Sequence, residues 1–254
     1  MNERPYETDD GIRWAATLPH VREVSLLGTA DLAFWRDRLR EEDLAPLDRD
    51  GKAQVMLIGA DSKFMGIPFR ELSVSVVARP ETSADATEGA YLLRAWNSVR
   101  FFAFCERTFF ATPYSHGDVR VRASAPASVR LVVKGKPILT AEMDAATGAP
   151  DRPPAPGAQS GWEGPVYLPG RGGAKGGDGK LFFARLWGRT ESLPFLPSRD
   201  TFSIDPSQDG GALQLLADSH FAPREWSIRA DATHAKSNTY RRSRAAAHRP
   251  DGAC

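Results

Sequence analysis

Residues 69–78 read FRELSVSVVA, a stretch in which polar and apolar side chains alternate. In an extended strand, successive side chains point to opposite faces. One face therefore carries Leu72, Val74 and Val76, and the other carries Glu71 with two serines. This pattern predicts an antiparallel strand with one drier face.

Short apolar stretches recur along the chain on both sides of this strand. The further strands predicted are 21–27, 54–59, 90–96, 119–124, 129–134, 181–188, 201–204, 213–216 and 226–232. Helices are predicted at 31–44 and at 99–110, and the second is apolar on nearly all sides and should be buried. Without β-α-β alternation, doubly wound folds are disfavoured. We therefore predict an α+β, mainly antiparallel β fold, a curled sheet or closed barrel with two or three helices.

Pro and Gly are concentrated between residues 144 and 180, which we interpret as a long loop because strands resume on both sides. The chain is then a single domain over residues 1–240. Residues 241–254, RRSRAAAHRPDGAC, are predicted to be a disordered basic tail.

Composition excludes several classes of protein. The chain has 254 residues, 41% of them hydrophobic and 26% charged, as in soluble globular proteins. The 33 basic and 32 acidic residues leave a net charge of +1, so neither a nucleic-acid partner nor an anionic membrane is indicated. No apolar leader or run of about 20 apolar residues is present, and we expect a cytoplasmic protein. Cys105 and Cys254 belong to no metal-binding motif, so we expect no metal and no cofactor.

Familiar catalytic motifs are absent. The Gly-rich residues 170–180 have Ala174 where a phosphate-binding loop needs glycine, and Leu181 where it needs Ser or Thr. The chain contains neither GxSxG nor HExxH. Ser115 and His116 are adjacent, but adjacency does not supply the facing geometry of a nucleophile and its base.

Two places in the sequence contain candidate residues for a functional site. The segment 112–117, TPYSHG, lies between a helix and a strand, where sites are often built, although it also fits a plain connection. If the face of Glu71 lines an interior, that carboxylate needs partners or a raised pKa. Alternatively, Glu71 faces solvent or pairs with an arginine such as Arg22.

A third candidate lies near the end of the chain. A strand would put His234 and Lys236 on one face. A desolvated lysine can attack a carbonyl group to form a Schiff base. The alternative is an exposed lysine without a catalytic role.

Together these residues resemble the acetoacetate decarboxylase-like superfamily. The resemblance lies in the order of a strand with Arg22, a strand with Glu71, a helix with Glu106 and a turn at Pro113. The segments TPYSHG and HAKSNTY resemble an uncharacterised bacterial branch, and the likeness spans about residues 15–240. It implies that Arg22 and Glu71 correspond to the family's active-site arginine and glutamate, and that Glu106 contributes to substrate binding.

The chain departs from the family where the family places its Schiff-base lysine. Pro113-Tyr114-Ser115 stands where the family has Pro-Lys-Lys, and only seven of the 33 basic residues are lysine. Neither Tyr nor Ser can form an iminium with a ketone. Classical acetoacetate decarboxylation is therefore not expected, unless Lys63 or Lys236 reaches the pocket.

The resemblance predicts a protein that binds a small carboxylate or carbonyl compound between Arg22 and Glu71, near Tyr114, Ser115 and His116. Arg22 would hold a carboxylate by its two-pronged guanidinium, and Glu71 or His116 would transfer protons. The reaction would be that of a lyase or hydratase without an imine.

Two alternatives remain open. The first is a non-catalytic ligand-binding or structural protein on the same fold, since fold does not fix function. The second is a decarboxylase that uses a displaced lysine. The resemblance is also compatible with a homo-oligomer.

Overall fold

The computed structural model describes residues 11–81, 88–145, 159–170, 179–208 and 211–242. The strands are β1 (Trp14–Asp31), β2 (Leu44–Pro46), β3 (Asp48–Arg49), β4 (Lys52–Phe64), β5 (Ile67–Pro80), β6 (Gly89–Asn97), β7 (Tyr114–His116), β8 (Asp118–Arg122), β9 (Ser128–Val133), β10 (Lys136–Glu142), β11 (Gln159–Leu168), β12 (Lys180–Arg189), β13 (Glu191–Pro194), β14 (Thr201–Ile204), β15 (Ala222–Ser237) and β16 (Tyr240–Arg241). The helices are α1 (Leu32–Arg40), α2 (Arg100–Phe109) and α3 (Ala212–Asp218). No helix in these ranges is long and apolar enough to cross a membrane.

Seven strands close into a barrel, which confirms the predicted fold class. Their order is β15-β1-β4-β5-β6-β11-β12, and β12 pairs back onto β15. All neighbours around the barrel are antiparallel except β6 and β11, which run parallel. Each of these strands therefore has one face turned to the lumen and one turned outward.

A second sheet, in the order β14-β10-β9-β8, packs on the outside of the barrel. The main core lies between the two layers, and Leu72, Val74 and Val76 of β5 belong to it together with Leu131 of β9. The drier face of β5 is thus its outward face. The same alternation turns Glu71 towards the lumen.

Two predictions about local structure were wrong. Helix α2 is not buried, because only Ala103 lies fully inside whereas Phe101 and Phe109 are 64% and 70% exposed. Residues 213–216 form part of α3 rather than a strand. Leu213 and Leu216 are buried one turn apart, and so short an apolar run does not distinguish a helix from a strand.

The predicted loop over 144–180 contains a strand. β11 pairs with β12 along its whole length and with β6 at two positions, because the apolar Val166 and Tyr167 complete the barrel wall. Residues 146–158 and 171–178 lie outside the described residues. Of the predicted tail, Arg241 belongs to β16, and residues 243–254 lie outside the described part.

Asp31 ends β1 and caps α1, as a helix-start residue should. Its carboxylate accepts hydrogen bonds from the backbone N–H groups of Ala33 at 2.8 Å and Phe34 at 3.2 Å. The substitution Asp31→Ala should lower the free energy of unfolding by about 1 kcal/mol, because these two amides lose their acceptor. Urea unfolding measures the effect. Asp31→Asn is the control, since asparagine also caps helices, and equal losses in both variants would contradict the assignment.

Candidate functional site

The barrel encloses a cavity of about 440 Å³. Inward side chains from all seven barrel strands and from α2 line it, and most of them are apolar. Cavities of about 300–1,000 Å³ with a few polar groups are typical small-molecule sites. The ionisable groups of this cavity form two clusters.

The first, the Glu23 cluster, consists of Glu23, Ser25, Arg229 and His234. Glu23 on β1 lies opposite Arg229 on β15, and Arg229 Nη1 donates to Glu23 Oε1 at 2.7 Å. His234 Nε2 lies 2.6 Å from Glu23 Oε2, and Ser25 Oγ donates to Oε1 at 3.0 Å. The side chain of Glu23 is buried from solvent. Its carboxylate is nevertheless hydrogen-bonded, because three neighbours contact its oxygens.

These partners decide the charge of Glu23. Burial on its own raises the pKa of Glu23, but the hydrogen bond and charge of His234 and the charge of Arg229 outweigh it and lower the pKa below its ordinary value of 4.5. Glu23 is therefore ionised at neutral pH. An ionised carboxylate only accepts hydrogen bonds, so the proton in the contact with His234 lies on Nε2.

The second, the Lys236 cluster, consists of Lys236, Glu106, Tyr114 and Glu71. Lys236 Nζ forms a direct ion pair with Glu106 Oε2, and the hydroxyl of Thr112 lies 2.7 Å from the same oxygen. The ammonium also lies over three aromatic rings, with distances to the ring centroids of 4.6 Å for Phe182, 4.7 Å for Phe110 and 5.7 Å for Tyr114. Ring faces attract cations, so this pocket suits a positively charged nitrogen.

Glu71 and Tyr114 form a hydrogen-bonded pair within this cluster, because Tyr114 donates its phenolic O–H to Glu71 Oε1 at 2.6 Å. Burial and the nearby charge of Glu106 raise the pKa of Glu71, despite the hydrogen bond from Tyr114 and the charge of Lys236. Burial and the two carboxylates raise the pKa of Tyr114 well above 10. Tyr114 therefore remains a neutral donor, and Glu71 holds a proton to a higher pH than a solvated glutamate.

The structure brings three of the predicted site residues together, namely Glu71, Tyr114 and Glu106. Arg22 is not among them. Strand alternation turns Glu23 inward, so Arg22 points outward, where it is 64% exposed and binds Asp61 at 2.6 Å.

Ser115 and His116 also lie off the cavity. Ser115 Oγ accepts a hydrogen bond from Arg94 Nη2 at 2.7 Å, and His116 is exposed at the end of β7. Of the two lysines that could replace the Schiff-base lysine, Lys63 is exposed and lies outside the cavity lining, whereas Lys236 lines the cavity.

Sequence reasoning missed the roles of Glu23 and Arg229. A signal was present, because Glu23 shares a strand face with Ser25 and Leu27, just as Glu71 shares one with its serines. The predicted common face of His234 and Lys236 is confirmed, since both side chains line the cavity.

Removing the buried charge of Glu23 should destabilise the fold. Glu23→Gln leaves Arg229, which is 11% exposed, without its counter-charge, and we expect a loss of about 3–5 kcal/mol at neutral pH in urea unfolding. Asp37→Asn is the control, because it breaks a solvent-exposed pair with Arg40 and should cost less than about 0.5 kcal/mol.

This effect should depend on pH. Because the pKa of Glu23 is lowered in the folded state, its stabilising charge is present above the ordinary value of 4.5 and is lost as the pH falls through the lowered pKa. The difference between wild type and Glu23→Gln should therefore shrink as the pH falls below 4.5 and through the lowered pKa. A difference that stays constant with pH would contradict the ionised state of Glu23.

Glu71 should behave in the opposite way. Its pKa is raised in the folded state, so the wild type loses stability as the pH rises through that pKa, whereas Glu71→Gln does not. The variant should gain stability relative to wild type as the pH rises from 4.5 through the raised pKa, measured by urea unfolding. A relative loss over this range would mean that Glu71 is stabilised as an anion.

Comparison with known proteins identifies the architecture. No protein-family model and no curated protein matches the chain in sequence. Among solved structures, acetoacetate decarboxylase from Legionella pneumophila superposes with a TM-score of 0.58 at 12% identity, over 89% of this chain and 88% of that one. An acetoacetate decarboxylase-like enzyme from Sphingomonas wittichii RW1 gives 0.54 at 12% identity, over 92% and 94%.

The enduracididine biosynthesis enzyme MppR is also similar. Its complex with the condensation product of pyruvate and imidazole 4-carboxaldehyde gives a TM-score of 0.57 at 9% identity, over 93% of this chain and 92% of that one. Because these matches span nearly the whole of each chain, the protein has the acetoacetate decarboxylase-like fold.

Proposed function

We propose that the protein is a lyase that binds a small oxo acid in the barrel cavity and activates the carbonyl group as an imine of Lys236. The observation that carries this proposal is the position of the Lys236 amine in the cavity lining. Tyr114, which stands where the family resemblance places a lysine, has its ring centroid 5.7 Å from Lys236 Nζ. An amine from β15 would thus serve the same region of the cavity.

The chemical step follows from an amine beside a carboxylate. Glu106 accepts a proton from the Lys236 ammonium, and the neutral amine attacks the carbonyl carbon of the substrate. The carbinolamine takes up a proton at its oxygen, loses water and leaves an iminium ion. When a carboxylate occupies the β position, carbon dioxide departs and its bonding electrons pass to the iminium as an enamine, which is protonated and hydrolysed.

The surroundings of Lys236 support this chemistry. Three ring faces stabilise a cationic nitrogen, and an iminium carries the same charge as the ammonium it replaces. Glu71 has a raised pKa and can deliver a proton to the carbinolamine or the enamine, with Tyr114 donating beside it.

The substrate carboxylate needs a cation, and Arg22 lies outside the cavity. Arg229 takes that role in the proposal, because it lines the cavity and is already oriented by Glu23. A guanidinium held in place by one carboxylate still presents other N–H groups to a second anion. MppR, a structural neighbour, has been solved in complex with pyruvate, which makes 2-oxo acids suitable first probes.

Borohydride trapping tests the proposal. Incubation with pyruvate or acetoacetate and sodium borohydride should leave a reduced adduct on Lys236, located by mass spectrometry of peptides. Lys236→Met should abolish the adduct and lower any turnover at least about 10³-fold, as expected for loss of a covalent nucleophile. Lys63→Met, which removes an exposed lysine outside the cavity, is the matched control and should keep the adduct. A wild-type protein that binds these acids without forming an adduct would overturn the imine.

Such a result would favour a second candidate, a lyase or hydratase that acts without an imine. The pairing of Glu71 with Tyr114 supports it, because a carboxyl of raised pKa beside a neutral phenol can act as a general acid. Turnover that survives Lys236→Met and is lost in Glu71→Gln would identify this mechanism. Binding without turnover in any variant would point to a non-catalytic ligand-binding protein.

A further inference from the structure

We propose that the end of the cavity remote from Lys236 is a subsite for a neutral, hydroxyl-bearing tail of the substrate. The proposal rests on the proposed function, in which the head of an oxo acid binds at Lys236. The substrate would then be an oxo acid that carries a neutral hydroxyl group at the end of its tail.

Serines line the barrel wall next to the ionisable clusters, at adjacent inward-facing positions of the same strands. On β1, Ser25 follows Glu23 on the same face, and on β15, Ser227 stands beside Arg229 and directly opposite Ser25. On β5, Glu71 is followed on the inward face by two serines, Ser73 and Ser75.

Three of these hydroxyl groups lack a partner. Ser25 donates to Glu23, but within the described part of the chain no hydrogen bond is made by the hydroxyls of Ser73, Ser75 or Ser227. Ser75 and Ser227 are only 5% and 6% exposed. These hydroxyls line the cavity, so a ligand group or water that enters it can exchange hydrogen bonds with them.

The tail that reaches them must be mostly apolar. Leu27, Met56, Ile58 and Leu92 line the wall around the serines. Along β1, the distance from Glu23 to Leu27 corresponds to about 13 Å of strand, which a molecule as small as pyruvate does not span.

The polar end of the tail must also be uncharged. All the ionisable side chains among the described residues that line this cavity belong to the two clusters, apart from Cys105. A neutral hydroxyl group can both donate to and accept from serine hydroxyls. A charged tail would be desolvated there, and the neighbouring charges of Glu23 and Arg229 are already paired with each other.

A matched pair of oxo acids tests the subsite. Phenylpyruvate and 4-hydroxyphenylpyruvate differ only by a hydroxyl group at the far end of the ring. Wild type should bind the hydroxylated acid about tenfold more tightly, measured by calorimetry, since each added hydrogen bond contributes a few-fold in affinity. The variant Ser75→Ala with Ser227→Ala should bind the two acids equally, and each single variant should show a reduced preference.

The control is Ser62→Ala. Ser62 is also a buried serine on a barrel strand, but it does not line the cavity, so its loss should leave the tenfold preference unchanged. Equal affinity of wild type for both acids, a preference that persists in the double and both single variants, or no binding of either acid overturns the subsite.

Failure of the subsite and failure of the imine are distinguishable. A borohydride adduct that forms with both acids, combined with equal affinities, overturns the subsite and leaves the imine intact. A calorimetric preference that disappears in the serine variants, without an adduct from either acid, supports the subsite and overturns the imine.

Discussion

The pairing of β12 with β15 is the interaction on which the site depends. It closes the barrel and sets Ala184 opposite Lys236 and Leu186 opposite His234. In a closed barrel every strand has a lumen face, so alternation along β15 carries both side chains inside. Without this closure, residues 232–236 of β15 would be a sheet edge, and Lys236 would lie exposed to solvent.

Closure also sets an energetic problem, because it places ionisable groups inside an apolar lumen. Burying a lone charge is costly unless it is paired and hydrogen-bonded. Opposite charges offset this cost, Glu23 with Arg229 on the neighbouring strand and Glu106 of α2 with Lys236 of β15. Glu71 has no full counter-charge of its own, and burial accordingly raises its pKa. One fold therefore holds one carboxylate ionised and another closer to its protonated form.

The many short strands and their alternation predict a curled sheet or closed barrel, but not the identity of all the groups inside it. The alternation in β5 places Glu71 on one face with Ser73 and Ser75, but it does not tell from sequence whether that face lines an interior. β1 is less regular, since its pairing with β15 shifts register between Val21 and Glu23, and both faces of the strand are buried from residue 23 to residue 26. A strand buried on both faces does not reveal from sequence which charged residue points inward. The family resemblance points to Arg22, whereas Glu23 is the residue that lines the cavity. The prediction of a strand at 213–216 was wrong for a related reason. The apolar run in helix 212–218 is too short to show a helical or a strand period.

The position of an amine matters less to imine chemistry than its surroundings. Attack on a carbonyl requires a neutral amine, a base within reach of its proton and a pocket that tolerates the cation formed afterwards. Around Lys236 of β15, Glu106 from α2 is a base in contact with the amine, and Phe110 and Phe182 are rings that can stabilise a cation. The helix and turn that carry the lysine in the resembling family would then supply its partners instead. On this view, the loss of lysines after Pro113 changes which wall of the barrel delivers the nucleophile and leaves the reacting region of the cavity in place.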